Sequence, residues 1–293
     1  MSAVKEPHFF ALEIREENFD SEVRNELARG SEGLREFLAG GMREKRFGGI
    51  VSDWRDYLNL FAGATDETAL GDASPCYLWA PSAPQRIAER IPGARIVVML
   101  RDPTDRAYSQ YLHGVGLGLV RWSFREHIRR NLRERSGRFS LYYPFLEFGL
   151  YAEQLARYLN QFGSNVRVGF YEDFKKDPLT VYRNICRFLG VAEDFVPRME
   201  HVHLQARVPK MPVIGHVMRS PMWRHAAKAL PSSVRPLLRR TLIRKPGSNV
   251  IDPADRQYML DYYREDTRRL GNLMSRNPAV MPSSEFPAWL HGG

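Results

Sequence analysis

Cysteine is scarce: Cys76 and Cys186 are the only two in the chain. Two cysteines make no disulfide framework and fit a reducing compartment, so a cytoplasmic protein is expected. No apolar run approaches the ~18 residues that a membrane span needs. The opening Met1-Ser2-Ala3-Val4-Lys5-Glu6-Pro7 has no apolar core of the kind a secretory signal carries. Several chemistry-bearing motifs are also missing. There is no G-x-x-x-x-G-K-[ST] phosphate loop, no G-x-S-x-G elbow and no H-E-x-x-H pair. Gly114-Val-Gly116-Leu-Gly118 follows a helical stretch rather than a strand, so it reads as a flexible loop and not as a dinucleotide fingerprint. His201-Val-His203 is followed by no carboxylate or cysteine that would complete a metal site, and no metal is expected.

Acidic residues are absent from one long stretch. Between His201 and Val250 there are ten Lys/Arg and no Asp or Glu, in a chain whose net charge is +9. An anionic partner is one reading: a phosphorylated cofactor, an acidic lipid surface or nucleic acid. A solvated basic face is the other. Trp223 is the segment's only aromatic residue. Without interleaved stacking residues nucleic acid is not expected. A peripheral membrane contact through residues 201–250 stays open.

What is present is enough for a globular enzyme. The 293 residues are 43% hydrophobic and 12% aromatic, which is material for a sizeable core. Two stretches read as strand followed by helix, the grammar of an α/β protein. Arg95–Leu100 is a short apolar β-rich run, followed by Arg101-Asp102-Pro103 and a helix over 104–113. Asp102 suits the cap, Pro103 the first turn and Gly114 the stop. Val166–Phe170 is the second strand. It leads to a helix over 178–189 with Asp177 as cap and Gly190 as stop. Leu179, Tyr182, Ile185 and Phe188 should be its core face, and Cys186 a packing residue beside it. Further helices are expected over 22–39, 83–90, 124–134, 151–162 and 253–274.

Arg101 carries the first chemical signal. It stands at the carboxyl end of an expected parallel strand, the edge where ligands bind in open α/β sheets. The next helix points its N-terminus at that edge, which favours anions. A guanidinium there suits a bidentate grip on a phosphate, and Ser109 offers a hydroxyl. The plainer alternative pairs Arg101 with Asp102 or Asp105 and leaves Ser109 on the helix surface.

The residues around Arg101 resemble a known family. Arg101-Asp-Pro-Thr-Asp-Arg-Ala-Tyr-Ser109-Gln-Tyr111 is similar to the 3′-phosphate-binding segment of sulfotransferases that use 3′-phosphoadenosine 5′-phosphosulfate (PAPS). Lys5-Glu6-Pro7-His8-Phe9-Phe10 resembles the segment with the catalytic glutamate in the heparan sulfate sulfotransferase branch. Tyr57-Leu-Asn-Leu-Phe61, Gly71-Asp-Ala-Ser74-Pro-Cys-Tyr77-Leu78, Gly149-Leu-Tyr151 and Tyr171-Glu172-Asp173 resemble that branch and its bacterial relatives. The resemblance implies one sulfotransferase domain over 1–293. The implied fold is a P-loop-like three-layer α/β fold, with a central parallel sheet flanked by helices and its first strand missing. It implies sulfonate transfer from PAPS, without a metal, to a hydroxyl or amine of a carbohydrate or small molecule. By the same resemblance Arg101 and Ser109 hold the 3′-phosphate and Glu6 is the general base. Lys5 and His8 position Glu6 or stabilise charge on the sulfonate. The acceptor is expected to meet residues 114–144, whose Arg121, Arg125, Arg129, Arg130, Arg133, Arg135 and Arg138 either face an acidic acceptor or water.

One departure from the family pattern stands out. The family places a strand and a Pro-Lys-x-Gly-Thr-Thr-like loop before the catalytic glutamate, whereas Glu6 is almost at the start of this chain. The expectation is a misplaced start or a shortened chain, with a cofactor-deficient relative as the alternative. Two other functions remain as rivals: a nucleotide-dependent phosphotransferase of the same fold, and a non-catalytic sulfotransferase-like binding protein.

Overall fold

The computed structural model describes residues 1–19, 33–42, 44–133, 144–197, 250–277 and 286–291, with a few isolated residues between these stretches, two of them, 24 and 25, adjacent. Nearly all of the basic segment 201–250, including His201 and His203, lies outside the described residues, as do Arg135 and Arg138. The described residues group into two compact units. The first comprises Met1–Arg101, Leu150–Pro197 and Glu265–Gly293; the second comprises Asp102–Gly149 and Arg198–Arg264.

The first unit holds two parallel strand pairs. β1 (Val4–Lys5) pairs with β2 (Arg46–Phe47), and the chain between them includes helix α1 (Leu34–Ala39). After β2 come α2 (Trp54–Asn59), α3 (Cys76–Trp79) and α4 (Ala83–Arg90), then β3 (Ile96–Leu100). β3 pairs in parallel with β4 (Val166–Phe170), in register from Ile96 opposite Val166 to Leu100 opposite Phe170. Parallel neighbours need a long crossover, and residues 101–165 supply it. Val98, Leu100, Val166, Val168 and Phe170 are buried, as expected for short β-branched and apolar runs. The Val168 N–H also donates to the Ala279 carbonyl at 2.9 Å, so the C-terminal segment is stitched onto β4.

The crossover starts with α5 (Pro103–Gly116) and α6 (Phe124–Arg133) in the second unit and returns through α7 (Tyr151–Phe162) in the first. α7 buries Tyr151, Leu155, Tyr158, Leu159 and Phe162 along one stripe, the 3.6-residue period of a core-facing helix, and packs on α3, α4 and β4. α8 (Tyr171–Lys176), α9 (Pro178–Leu189) and the long α10 (Pro253–Ser275) complete the described helices. The family-level α/β expectation with parallel strands is what the structure shows.

Several local expectations hold in detail. Asp102 accepts from the Thr104 and Asp105 N–H groups at 2.8 and 3.2 Å and caps α5. Asp177 accepts from Thr180 N–H at 3.0 Å, and Gly190 ends α9 in the left-handed conformation. Cys186 is buried, a packing residue. Others shift. α5 runs past Gly114 to Gly116, so the Gly114–Gly118 stretch is helix and turn rather than open loop. A Cβ on Gly114 would meet Val120 Cγ2 at 2.8 Å, so Gly114 is required by packing and not as a stop. On α9 the deeply buried positions are Val181 and Cys186, while Leu179, Tyr182, Ile185 and Phe188 are half-buried. The helix expected over 22–39 is described from Leu34 to Ala39, and most of 20–32 lies outside the described residues.

Gly149 gives a direct stability test. A Cβ there would lie 2.8 Å from the ring of Tyr263, which is buried and whose hydroxyl donates to the Leu146 carbonyl at 2.9 Å. The ring cannot retreat without losing that bond. Gly149→Ala should therefore cost ~1–3 kcal/mol, the scale of core overpacking. Thermal unfolding of the two proteins measures it, and an unchanged midpoint would show that the ring has room.

Candidate functional site

Glu6 lies just after β1 on an unusual turn. Glu6 and His8, either side of Pro7, both have positive φ, 57° and 56°. That region costs an L-residue roughly 1–2 kcal/mol, so the surroundings must enforce it. They do. Val4, Pro7, His8, Phe9 and Phe10 are all buried. Phe9 stacks on Tyr57 at 4.7 Å, and Phe10 meets Tyr57 and Tyr77 edge-on at 5.1 and 5.7 Å. The Val51 N–H donates to the Pro7 carbonyl at 3.0 Å.

The turn presents one carboxylate outward and one imidazole inward. The Glu6 side chain keeps 38% of its surface exposed, with Lys5 Nζ 4.0 Å from its Oε1. Burial of the rest raises its pKa, Lys5 opposes that, and the Asp72 charge adds to it. The His8 ring is buried with Nδ1 2.9 Å from Cys76 Sγ. Burial pulls the His8 pKa down to about 4, so the ring is neutral near pH 7. Burial likewise pushes the Cys76 thiol well up, with Glu6 and Asp72 adding to it. The pair is therefore thiol and imidazole rather than thiolate and imidazolium, and Cys76 is not an activated nucleophile.

Asp72 gathers the hydroxyls beside this turn. Its carboxylate accepts from the Tyr77 hydroxyl at 2.7 Å, from Ser74 Oγ at 3.0 Å and from the Tyr57 hydroxyl. Ser74 Oγ accepts the His8 N–H at 3.3 Å, and the Tyr77 hydroxyl accepts the Phe10 N–H at 3.4 Å. In sequence, Gly71–Leu78 carries part of the family resemblance but no role for any of its residues. These partners are ~65 residues from the turn along the chain, and no local pattern links them.

Arg101 lies in the first unit directly after β3. Its guanidinium stands over the Tyr171 ring at 4.9 Å. The alternative in which Arg101 pairs with Asp102 or Asp105 does not hold. In the second unit, Arg256 of α10 binds both, at 3.1 and 2.7 Å. Among the described residues Arg101 makes no ion pair or hydrogen bond, which leaves its N–H edges for an anion. The Thr104 and Asp105 N–H groups of α5 are already taken by Asp102. Ser109 is exposed on α5, in the second unit. Of the crossover arginines, Arg125 is held by Asp255 at 2.6 Å, and Arg130 binds Glu126 at 3.0 Å and covers Trp122 at 4.3 Å.

Comparison with known proteins adds a family to this geometry. The model described as "Sulfotransferase family" matches residues 20–194, more than half of the chain. The human bifunctional heparan sulfate N-deacetylase/N-sulfotransferase 3 is 32% identical over 145 residues, 47% of this chain and 16% of that protein. The Xenopus laevis bifunctional heparan sulfate N-deacetylase/N-sulfotransferase 1 is 25% identical over 237 residues, 79% of this chain and 25% of that protein. The chain thus spans a quarter or less of these relatives' length. A crystal structure of a sulfotransferase from Alicyclobacillus acidocaldarius matches with a TM-score of 0.66 at 28% identity. The match covers 97% of this chain and 85% of that one.

Proposed function

Since the chain belongs to the sulfotransferase family, we propose that it moves a sulfonate group from PAPS to a hydroxyl or amine of a carbohydrate or small-molecule acceptor, and that its two units are parts of one such domain. The observation that carries the reading is Glu6: a partly exposed carboxylate, held on a strained turn, with its basicity raised by burial and by Asp72. A carboxylate of raised pKa takes a proton more readily than an ordinary one. In this reading an acceptor O–H or N–H gives its proton to a Glu6 oxygen, and Lys5 keeps the carboxylate ionised between turnovers. His8, neutral and buried, holds the turn rather than carrying charge. Bound PAPS supplies the sulfonate.

Arg101 fits the 3′-phosphate of that nucleotide. Its guanidinium is oriented by Tyr171 and has no competing carboxylate among the described residues. Ser109 is a second donor on the strength of the resemblance alone. Arg101→Ala should weaken adenosine 3′,5′-bisphosphate by ~1.5–3 kcal/mol, the scale of a charge-assisted hydrogen bond. Adenosine 5′-phosphate, which lacks the 3′ group, should change much less. Calorimetric titration with both nucleotides decides it, and equal losses would remove Arg101 from the role. The reaction itself is tested by following sulfonate from labelled PAPS onto a panel of sugars and phenols. Nucleotide binding with no transfer to any acceptor would favour a binding protein instead.

A further inference from the structure

The backbone that carries Glu6 is not held by backbone partners alone. The His8 and Phe10 N–H groups donate to side-chain oxygens, Ser74 Oγ and the Tyr77 hydroxyl. A hydroxyl has one hydrogen and two lone pairs, and it can turn either toward an approaching N–H. Ser74 and Tyr77 can accept from the turn only if their hydrogens point elsewhere. Asp72 settles the direction. An ionised carboxylate only accepts, so it draws both hydrogens to itself, at 3.0 and 2.7 Å, and leaves the lone pairs to the two N–H groups. Burial pushes the Tyr77 and Tyr57 phenols far up, so both remain O–H donors at any working pH.

We infer that Asp72 is a positioning residue for Glu6: by orienting the Ser74 and Tyr77 hydroxyls it holds the Glu6–Phe10 turn in the conformation that presents the Glu6 carboxylate. The inference rests on Glu6 being the base. Tyr57 differs from Tyr77 in one useful respect. Its hydroxyl donates to Asp72, but the Phe10 N–H goes to Tyr77.

The experiment compares Asp72→Asn, Ser74→Ala, Tyr77→Phe and Tyr57→Phe with Glu6→Gln. Asparagine places an N–H₂ where a hydroxyl hydrogen was received, so at least one of the two hydroxyls must reverse. Expected is a fall in kcat of ~10–100-fold for Asp72→Asn, the range for loss of alignment, with KM for PAPS within about 2-fold of the parent. Tyr77→Phe should fall more than Tyr57→Phe, although each removes one phenol from Asp72. Adding Asp72→Asn to the Ser74→Ala/Tyr77→Phe pair should change kcat little further. A second readout needs no turnover. The Glu6 carboxyl, assigned by its absence in Glu6→Gln, is titrated by carbon-13 NMR in the ligand-free protein. The charged and titratable groups facing it are Lys5, Asp72 and Cys76. Removing the Asp72 charge should lower its pKa. Normal turnover in Glu6→Gln overturns the base assignment and this inference with it. Loss in Glu6→Gln together with normal kcat in Asp72→Asn, or an unmoved Glu6 titration, overturns the inference alone. Should Asp72→Asn not fold, Tyr77→Phe and Ser74→Ala with unchanged kcat do the same.

Discussion

Glu6→Gln should lower sulfonate turnover by roughly 10²–10⁴-fold, the range for losing a general base. Binding of adenosine 3′,5′-bisphosphate should hardly move, because the amide keeps the side chain's shape. Unfolding is not expected to confuse the result. The substitution removes a charge that burial and Asp72 disfavour, so the melting temperature should hold or rise. The pH profile of the parent protein supplies a second check. In the proposed mechanism the base is ionised Glu6, and its pKa is raised, so kcat/KM should fall as pH drops through a value above that of an ordinary glutamate. That acid limb should vanish in the variant's residual activity. Near-normal turnover in Glu6→Gln would sink the assignment.

The second large effect is acid instability from two neutral histidines. His8 is held at about 4 by burial. His127 is held at about 3 by burial and by the nearby Arg130. The His127 tautomer is set as well: Trp122 Nε1 can only donate, so at 3.0 Å the His127 Nδ1 accepts. As pH falls below ~6.5 the unfolded chain protonates both rings while the native one does not. Unfolding then takes up protons, and stability is lost between pH ~6.5 and the native values. His8 contributes on the order of 3 kcal/mol and His127 on the order of 5 kcal/mol over these windows, because every pH unit separating a ring's unfolded and native pKa is worth ~1.4 kcal/mol. Glu6, Asp72 and Asp266 are raised and act in the opposite sense, since the native state takes their protons first. The histidine part is therefore read by difference. Urea unfolding of the parent and of His127→Gln, which keeps an acceptor for Trp122, should show parallel stabilities near pH 7.5. By pH 4.5 the parent should have lost more. Equal slopes for both proteins would mean that His127 protonates in the native state without cost.

β3 and β4 are legible in the sequence because short β-branched and apolar stretches bounded by turn residues read as strands: Ile96–Leu100 is apolar throughout, and in Val166–Phe170 the buried Val166, Val168 and Phe170 recur at every second position, with Arg167 and Gly169 between them. Asp102, Asp177 and Gly190 are legible because a cap acts within three residues of itself. Gly114 reads as a helix stop but is not one. Its reason is Val120 against the helix flank, a contact that no helix-stop rule contains. Arg101 is placed correctly at the end of β3, but its choice of partner is not decided locally. Asp102 and Asp105 are one and four residues away, yet Arg256 holds both from α10.

The sequence by itself determined the α/β class, the ends of most helices and the candidates Glu6, Lys5, His8, Arg101 and Ser109. Those features depend on residues close along the chain or on a resemblance carried by short segments. Tertiary structure alone decided the environment that gives a candidate its chemistry. Glu6 is ordinary in sequence, a carboxylate beside a lysine. Its raised basicity comes from burial around β1 and from Asp72. His8 is ordinary as well, and its neutrality comes from burial. Desolvation and Coulomb interactions depend on distance through space, and those distances exist only once residues some 65 positions apart have been brought into contact.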